Sequence, residues 1–523
     1  MAVDVNVTVG PWPTDDHPAW APADVLAHLD RHGLDAALVR HSLAVRYDPV
    51  AGNRALRGAL AGDERLLPAY VLGPLDCGEF GPPEDLPARL AAEGVRAVWL
   101  YPRSHTWSPD GPEAAGLVEA LRAARLPVFV EQDEMSWSEV DRLAEAAPEL
   151  DIVVCGVGYR TLRQLIAVLD RRPRVHVDLS YLASQDGLEL LAGRYGTGRV
   201  LLGTGAPIRD DAAPVFRLAR AALAQPGRAA VAGANARRIL PSGAVPVPVA
   251  VGGAGAGAGP VSDTFPQVDD VLDAHAHIGA WPGTWLPQQE ADELVAAMDR
   301  AGTRQTVVSH LLGIWADPIA GNEQAVAAAQ RHPGRVYVYL VADPHRPQDE
   351  SVLARQLELP GVVGIKVHPH THECAMDDRR YDWIWRLAQR HDVAVLGHGF
   401  ADTWHSDPRL FGNVAARHPE LRLLIGHSGA TVTGFRRTIE VCRAHPNVYA
   451  ETCGSWMTGR WLRRMVDALG ADRIVHGTDA CVIDQRYGLG RVLGADLTGR
   501  ERALILASNA RRLLNIPCST GGD

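Results

Sequence analysis

At 523 residues the chain has room for two domains of about 250 residues each, a usual size for one α/β barrel. Charged residues at 22% and hydrophobic ones at 46% describe an ordinary globular protein, and a formal net charge of -10 argues against a nucleic-acid backbone or an anionic membrane as main partner. Seven cysteines without a C-x-x-C pair, and an N-terminus (Met1-Ala-Val-Asp-Val-Asn) with neither a basic region nor an apolar run, predict reduced thiols in a cytoplasmic protein.

The chain opens on Asp4-Val-Asn6-Val-Thr8-Val-Gly10-Pro-Trp12-Pro13, which alternates with the period of a β-strand. The phrase returns as Asp273-Ala-His275-Ala-His277-Ile-Gly279-Ala-Trp281-Pro282, at an offset of 273 minus 4, or 269. The same offset carries Gly33, His41, Asp48-Pro49 and Gly52-Asn53 onto Gly302, His310, Asp317-Pro318 and Gly321-Asn322. Further on, Gly94, Pro102, Pro148-Glu149-Leu150 and Asn235-Ala-Arg-Arg meet Gly361, Pro369, Pro419-Glu420-Leu421 and Asn509-Ala-Arg-Arg. Such a register marks a tandem duplication. The first copy spans 1–242. Pro241 to Pro260, with its run PVPVAVGGAGAGAGP, has nothing bulky to bury and reads as a linker over 243–262, leaving 263–518 as the second copy.

In the second copy, apolar runs at even spacing predict eight strands, over 271–277, 304–310, 335–341, 362–368, 393–398, 422–427, 447–452 and 473–478. Helical patterns lie between them, as in Glu290–Arg300, Tyr381–Arg390 and Gly434–Ala444. The fold class expected is α/β: two tandem (β/α)8 TIM-type barrels joined by the Pro/Gly/Ala-rich linker. In that fold the chemistry sits at the C-terminal strand ends. Strand one ends in His275 and His277, strand four carries Lys366 and His368, strand five ends in His398, strand six in His427 and strand eight in Asp479. A strand period of two would point Asp273, His275 and His277 to one side, where two imidazoles can grip one metal ion.

Histidines and one aspartate on separate strands, with the phrases Gly364-Ile-Lys-Val-His-Pro369, His427-Ser-Gly429 and His476-Gly-Thr-Asp479, resemble the amidohydrolase superfamily. The resemblance is to its branch of metal-dependent hydrolases and non-oxidative decarboxylases, and covers 268–516, with the first half weaker. It implies His398 as a third nitrogen ligand, Asp479 as ligand or general base, and His427 as proton shuttle or substrate-orienting group. Some superfamily members bridge two metals with a carboxylated lysine on strand four, the place of Lys366. In this branch the Gly-Ile-Lys pattern accompanies a single metal, so one divalent ion is expected, zinc first, with Mn2+, Fe2+ or Ni2+ as alternatives.

The repeat serves as an internal control. Where the second copy has His275, His277, Lys366, His398, His427 and Asp479, the first has Asn6, Thr8, Trp99, Gln132, Gly156 and Gly205. The first half therefore reads as a folded barrel without the metal site, and as an intramolecular pseudo-dimer partner of the second. The fused pair could dimerise again. The same control makes His310 and Trp281 framework, since His41 and Trp12 stand at their partner positions. His368 is open between ligand neighbour and plain strand-end histidine, and His370 and His372 read as an exposed loop. Trp285, Trp315, Trp404 and Trp456 fall in loops above the mouth, where they would stack on a planar substrate or pack on the other barrel. His405, Arg409, Arg460 and Arg486 share those loops and could hold a carboxylate, and Arg160 or Arg163 could reach the site from the first barrel.

The sequence thus points to hydrolysis of an amide, lactam or lactone of a small, planar or aromatic molecule. Non-oxidative decarboxylation and a non-catalytic binding or scaffold role are the alternatives. No nucleic acid or membrane partner is expected.

Overall fold

The computed structural model describes residues 1–14, 16–60, 62–241 and 265–517. The predicted linker at 243–262, and Cys518, lie outside them. Two compact units hold the described residues, one those of Met1–Ala183 and Gly187–Thr264, the other those of Ser184–Asp186 and Phe265–Asp523.

The first unit is an all-parallel ring in sequence order: β1 (Val3–Val9), β2 (Ala36–His41), β3 (Leu66–Leu72), β4 (Ala97–Leu100), β5 (Val128–Glu131), β6 (Ile152–Cys155), β7 (Val175–Asp178) and β8 (Val200–Leu201). Val5 N donates to Leu202 O (2.9 Å) and Thr8 N to Ala206 O (2.9 Å), which brings the last strand back to the first. The second unit repeats this with β9 (Leu272–Ile278), β10 (Gln305–His310), β11 (Val336–Val341), β12 (Val362–Val367), β13 (Ala394–Gly397), β14 (Leu423–Ile425), β15 (Val448–Glu451) and β16 (Ile474–Val475). Its ring closes through Ala274 N to His476 O (2.9 Å) and Asp479 N to His275 O (2.8 Å). Both are (β/α)8 barrels, and the predicted helices form at Ala291–Ala301, Asp382–Arg390 and Val432–Ala444.

Leu272, Ala274, Val307, Tyr339, Leu396, Leu424 and Val475 from the strands meet Ala510, Leu513 and Leu514 of the C-terminal helix in one apolar cluster. β-Branched and aromatic side chains on closely paired strands fill such a barrel. The polar residues at the opposite strand ends are left to form a site.

One expectation needs correction. The strict alternation through β9 is broken, because Asp273 pairs with Thr306 while Ala276 pairs with Val308, so β9 spends three residues where β10 spends two. This β-bulge separates Asp273 from the two histidines. Its carboxylate instead accepts from Thr478 N (3.0 Å), Thr478 Oγ1 (2.5 Å) and His275 N (3.1 Å). β1 has the same irregularity between Asp4 and Val7, and Asp4 accepts from Thr204 N (2.9 Å) and Oγ1 (2.6 Å). Asp273 and Asp4 are barrel-closing braces common to both copies.

The control also holds for His310 and His41. Each ring accepts through Nδ1 at 3.1 Å from a backbone N–H, Leu312 or Leu43, and so caps a short helix. A Cβ on Gly279 (φ +97°) would come within 2.4 Å of the His310 ring, and one on Gly10 (φ +101°) within 2.5 Å of His41. Glycine is required at both by the histidine beside it.

Candidate metal centre of the second barrel

His275, His277 and Asp479 each offer one ligand atom, all mutually within 4.8 Å. β9 supplies the two imidazoles, and Asp479 follows β16 in a left-handed conformation (φ 69°) that a non-glycine residue adopts at a cost. His277 Nε2 lies 3.1 Å from Asp479 Oδ1, and His275 Nε2 lies 3.9 Å from the same oxygen.

The other nitrogen of each ring is held from behind. His275 Nδ1 lies 3.1 Å from Glu451 Oε2, and His277 Nδ1 lies 3.0 Å from Ser309 Oγ and 3.3 Å from Ser309 O. Ligating histidines are oriented in this way by a carboxylate or carbonyl on the far nitrogen. Glu451, fully buried at the end of β15, also accepts from His427 N (2.7 Å) and Cys453 N. Burial pushes its carboxyl up to about 8 against those two backbone donors.

Lys366 on β12 is 1% exposed, with Nζ 2.9 Å from His275 Nε2. Burial lowers its ammonium to about 8, which brings the neutral amine within reach near neutral pH. Burial would raise the Asp479 carboxyl, but the His277 hydrogen bond and the nearby charges of His427, His277 and Lys366 outweigh it, and hold the group down at about 2. Asp479 is thus an anion, while burial drives His275 well below its usual range and His427 to about 4.

His427 follows β14 in a left-handed turn, with φ 56° at His427 and 45° at Ser428. Its Nδ1 lies 3.2 Å from Cys453 Sγ and its Nε2 lies 3.2 Å from His398 Nδ1. Burial keeps Cys453 a neutral thiol beside that nitrogen. His398 stacks on His368 at 4.0 Å between ring centroids, 19° from parallel, and His368 Nδ1 accepts from Thr371 N at 3.2 Å. His398, expected as third nitrogen ligand, is outside the group of His275, His277 and Asp479 among the described residues, and joins it through His427.

Of the loop tryptophans, Trp315 stacks on Trp281 (5.5 Å, 13°) and lies 6.0 Å from the His368 ring. Trp404 is 71% exposed and stacked on His405 at 3.6 Å, while Trp285 and Trp456 are 36% and 52% exposed. Arg409 is tied to Asp407 (2.8 Å) and Arg486 to Asp484 (2.7 Å). Arg486 also donates to Asp186 Oδ1 (2.8 Å), so both guanidiniums pair with carboxylates other than Asp479.

Glu451, Cys453 and Ser309 were missed from sequence. For Glu451 the repeat carried a usable signal, because Asp178 ends β7 as Glu451 ends β15, and a carboxylate survives at both.

In the first barrel Asn6 and Asp178 face one another, Asn6 Nδ2 donating to Asp178 Oδ2 at 2.9 Å. Arg40, on β2 where Ser309 stands on β10, donates to Asn6 Oδ1 (2.6 Å) and Glu131 Oε1 (3.3 Å) and lies 3.8 Å over the Trp99 ring. The guanidinium thus pairs with the Glu131 carboxylate and reaches Asp178 only through Asn6.

Among the described residues no helix is long and apolar enough to cross a membrane. A family model described as Amidohydrolase matches residues 48–241 and 272–516. No curated protein matches the chain. Among the solved structures similar to about half of it are the following three. A 5-carboxyvanillate decarboxylase from Novosphingobium aromaticivorans, complexed with manganese and a nitrobenzoic acid, is 13% identical over 47% of this chain and 96% of that one (TM-score 0.40). A 2,6-dihydroxybenzoate decarboxylase from Rhizobium is 20% identical over 48% and 99% (TM-score 0.40). A putative amidohydrolase from Staphylococcus aureus is 17% identical over 47% and 99% (TM-score 0.39).

Proposed function

The chain belongs to the amidohydrolase family, and from that premise we propose that its second barrel is a metal-dependent hydrolase acting on an amide, lactam or lactone bond of a small, planar molecule. The observation that carries the reading is the pairing of an ionised Asp479 with His277 Nε2 at 3.1 Å, beside a His275 braced by Glu451.

His275 Nε2, His277 Nε2 and Asp479 Oδ1 are the groups that would hold one divalent ion, zinc being the first choice for two nitrogens and a carboxylate. Such an ion supplies a Lewis acid at the substrate carbonyl. Asp479, an anion at any physiological pH, takes the proton that the attacking water gives up. His427, kept neutral by burial, steadies the oxygen that gains charge in the attack through a ring N–H. Lys366 Nζ, 2.9 Å from His275 Nε2, would give up the lone pair of that nitrogen to the ion. Trp315, stacked on Trp281 near His368, offers a face to a planar substrate.

Decarboxylation is the second reading, favoured by Lys366, a cation at the same mouth able to hold a substrate carboxylate. The first barrel we read as the non-catalytic copy, with Arg40 in place of an ion. The full chain, loaded with zinc or manganese, is assayed in heavy-oxygen water against lactones, cyclic and linear amides and hydroxylated benzoic acids. Heavy oxygen appearing in an acid product supports hydrolysis. Carbon dioxide release without it overturns hydrolysis for decarboxylation, and no turnover with any metal overturns both.

A further inference from the structure

The first barrel has its own cluster of metal-binding side chains, away from the positions that hold the ligands in the second. The helix Pro22–His32 buries His28 and His32, one turn apart on the same face. Asp211, beyond β8, directs one oxygen at both: Oδ2 lies 3.3 Å from His28 Nδ1 and 3.2 Å from His32 Nε2, and the three ligand atoms are mutually within 4.8 Å.

We propose that His28 Nδ1, His32 Nε2 and Asp211 Oδ2 form a structural site for a divalent transition metal, zinc by preference, in the first barrel. Three observations support it. Bonds of about 2.0–2.1 Å at a tetrahedral angle set neighbouring ligand atoms about 3.3 Å apart, which the two measured separations match. The far nitrogen of His28 lies 3.0 Å from Asp4 Oδ2, and Asp4 is itself anchored by Thr204, the carboxylate–histidine arrangement that fixes a ligating tautomer. The duplication shows that the barrel does not need these groups. At the offset of 269 that carries Gly33 onto Gly302, His28 and His32 fall on Ala297 and Ala301, which are buried in the matching helix; Asp211 falls on Gln485 at the offset of 274 that carries Asn235 onto Asn509.

The Asp211 side chain is 26% exposed, which gives an ion a way in. Arg31 Nη1 lies 3.8 Å from Asp211 Oδ2, and with its side chain 63% exposed it can swing outward. The competing arrangement is a metal-free one, with His28 as an imidazolium shared by Asp4 and Asp211.

The test uses the full chain with His275→Ala/His277→Ala, stripped of metal and titrated with Co2+, whose visible absorption reports nitrogen ligation, and with Zn2+ by calorimetry. About one equivalent is expected to remain, lost when His32→Gln or Asp211→Asn is added. Asp4→Asn is expected to weaken it about 10–100-fold. Circular dichroism verifies that each variant is folded; where His32→Gln fails to fold, Asp211→Asn, which keeps an oxygen in place, decides. No residual equivalent, or one indifferent to both His32→Gln and Asp211→Asn, overturns the site in favour of the imidazolium pair.

Discussion

Glu451 Oε2 lies 3.1 Å from His275 Nδ1 and also accepts the backbone N–H of His427 at 2.7 Å. One buried carboxylate thus orients a proposed ligand and fixes the turn that carries the neighbouring histidine. Replacing it with glutamine keeps the volume but puts an amide donor where a carboxyl oxygen meets His275 and the His427 N–H. Glu451→Gln is expected to weaken metal binding about 10–100-fold, read by competition against a chelator. An unchanged affinity would leave Glu451 as a brace of the His427 turn alone.

Asp479→Asn separates holding an ion from moving a proton. The amide can still present an oxygen, whereas it cannot accept a proton. We expect kcat to fall about 10²–10⁴-fold in the variant at a metal concentration that saturates its weakened site. Metal content comes from elemental analysis and kcat from any substrate the panel yields; full activity would remove Asp479 as the base.

Lys366 decides between one ion and two. Its amine lies 2.9 Å from His275 Nε2, and burial has lowered it to about 8. With a single ion, Lys366→Met leaves the stoichiometry of the second barrel unchanged. With a carboxylated bridge it removes one of two ions, and intact mass shows the extra carboxylate on wild type.

Arg40 is the counter-charge of the first barrel, 4% exposed, bonded to Asn6 and Glu131 and stacked over Trp99. Removing it leaves Glu131 with Arg209 alone, at 3.8 Å, and leaves Asn6 Oδ1 without its donor. Arg40→Met is expected to destabilise the first barrel by about 1–3 kcal/mol, seen as an earlier unfolding transition, with the metal content of the second barrel untouched.

Trp315→Ala tests the stacking face. If a planar substrate lies against it, KM rises about threefold to tenfold with kcat nearly unchanged, the worth of one aromatic contact. A flexible aliphatic substrate would show no such split.

The sequence alone determined the architecture, because strands, helices and turns answer to local rules that leave periodic marks, and because a duplicated chain prints its marks twice. Asn6 and Thr8 opposite His275 and His277, and His41 opposite His310, separated candidate ligands from framework without any structure. What only the tertiary structure decided were contacts across the ring. An extra residue in β9 turned Asp273 away from the histidines and onto Thr478, a shift no period-of-two argument contains. Glu451 behind His275, Cys453 behind His427 and Arg40 in the first barrel come from strands or strand ends far apart in the chain. His28, His32 and Asp211 meet for the same reason: closing the barrel sets β8 beside β1, and with it a loop and a helix some 180 residues apart (211 minus 32 is 179). Sequence spacing records neighbours along an element, whereas a site is made of neighbours across a closed sheet.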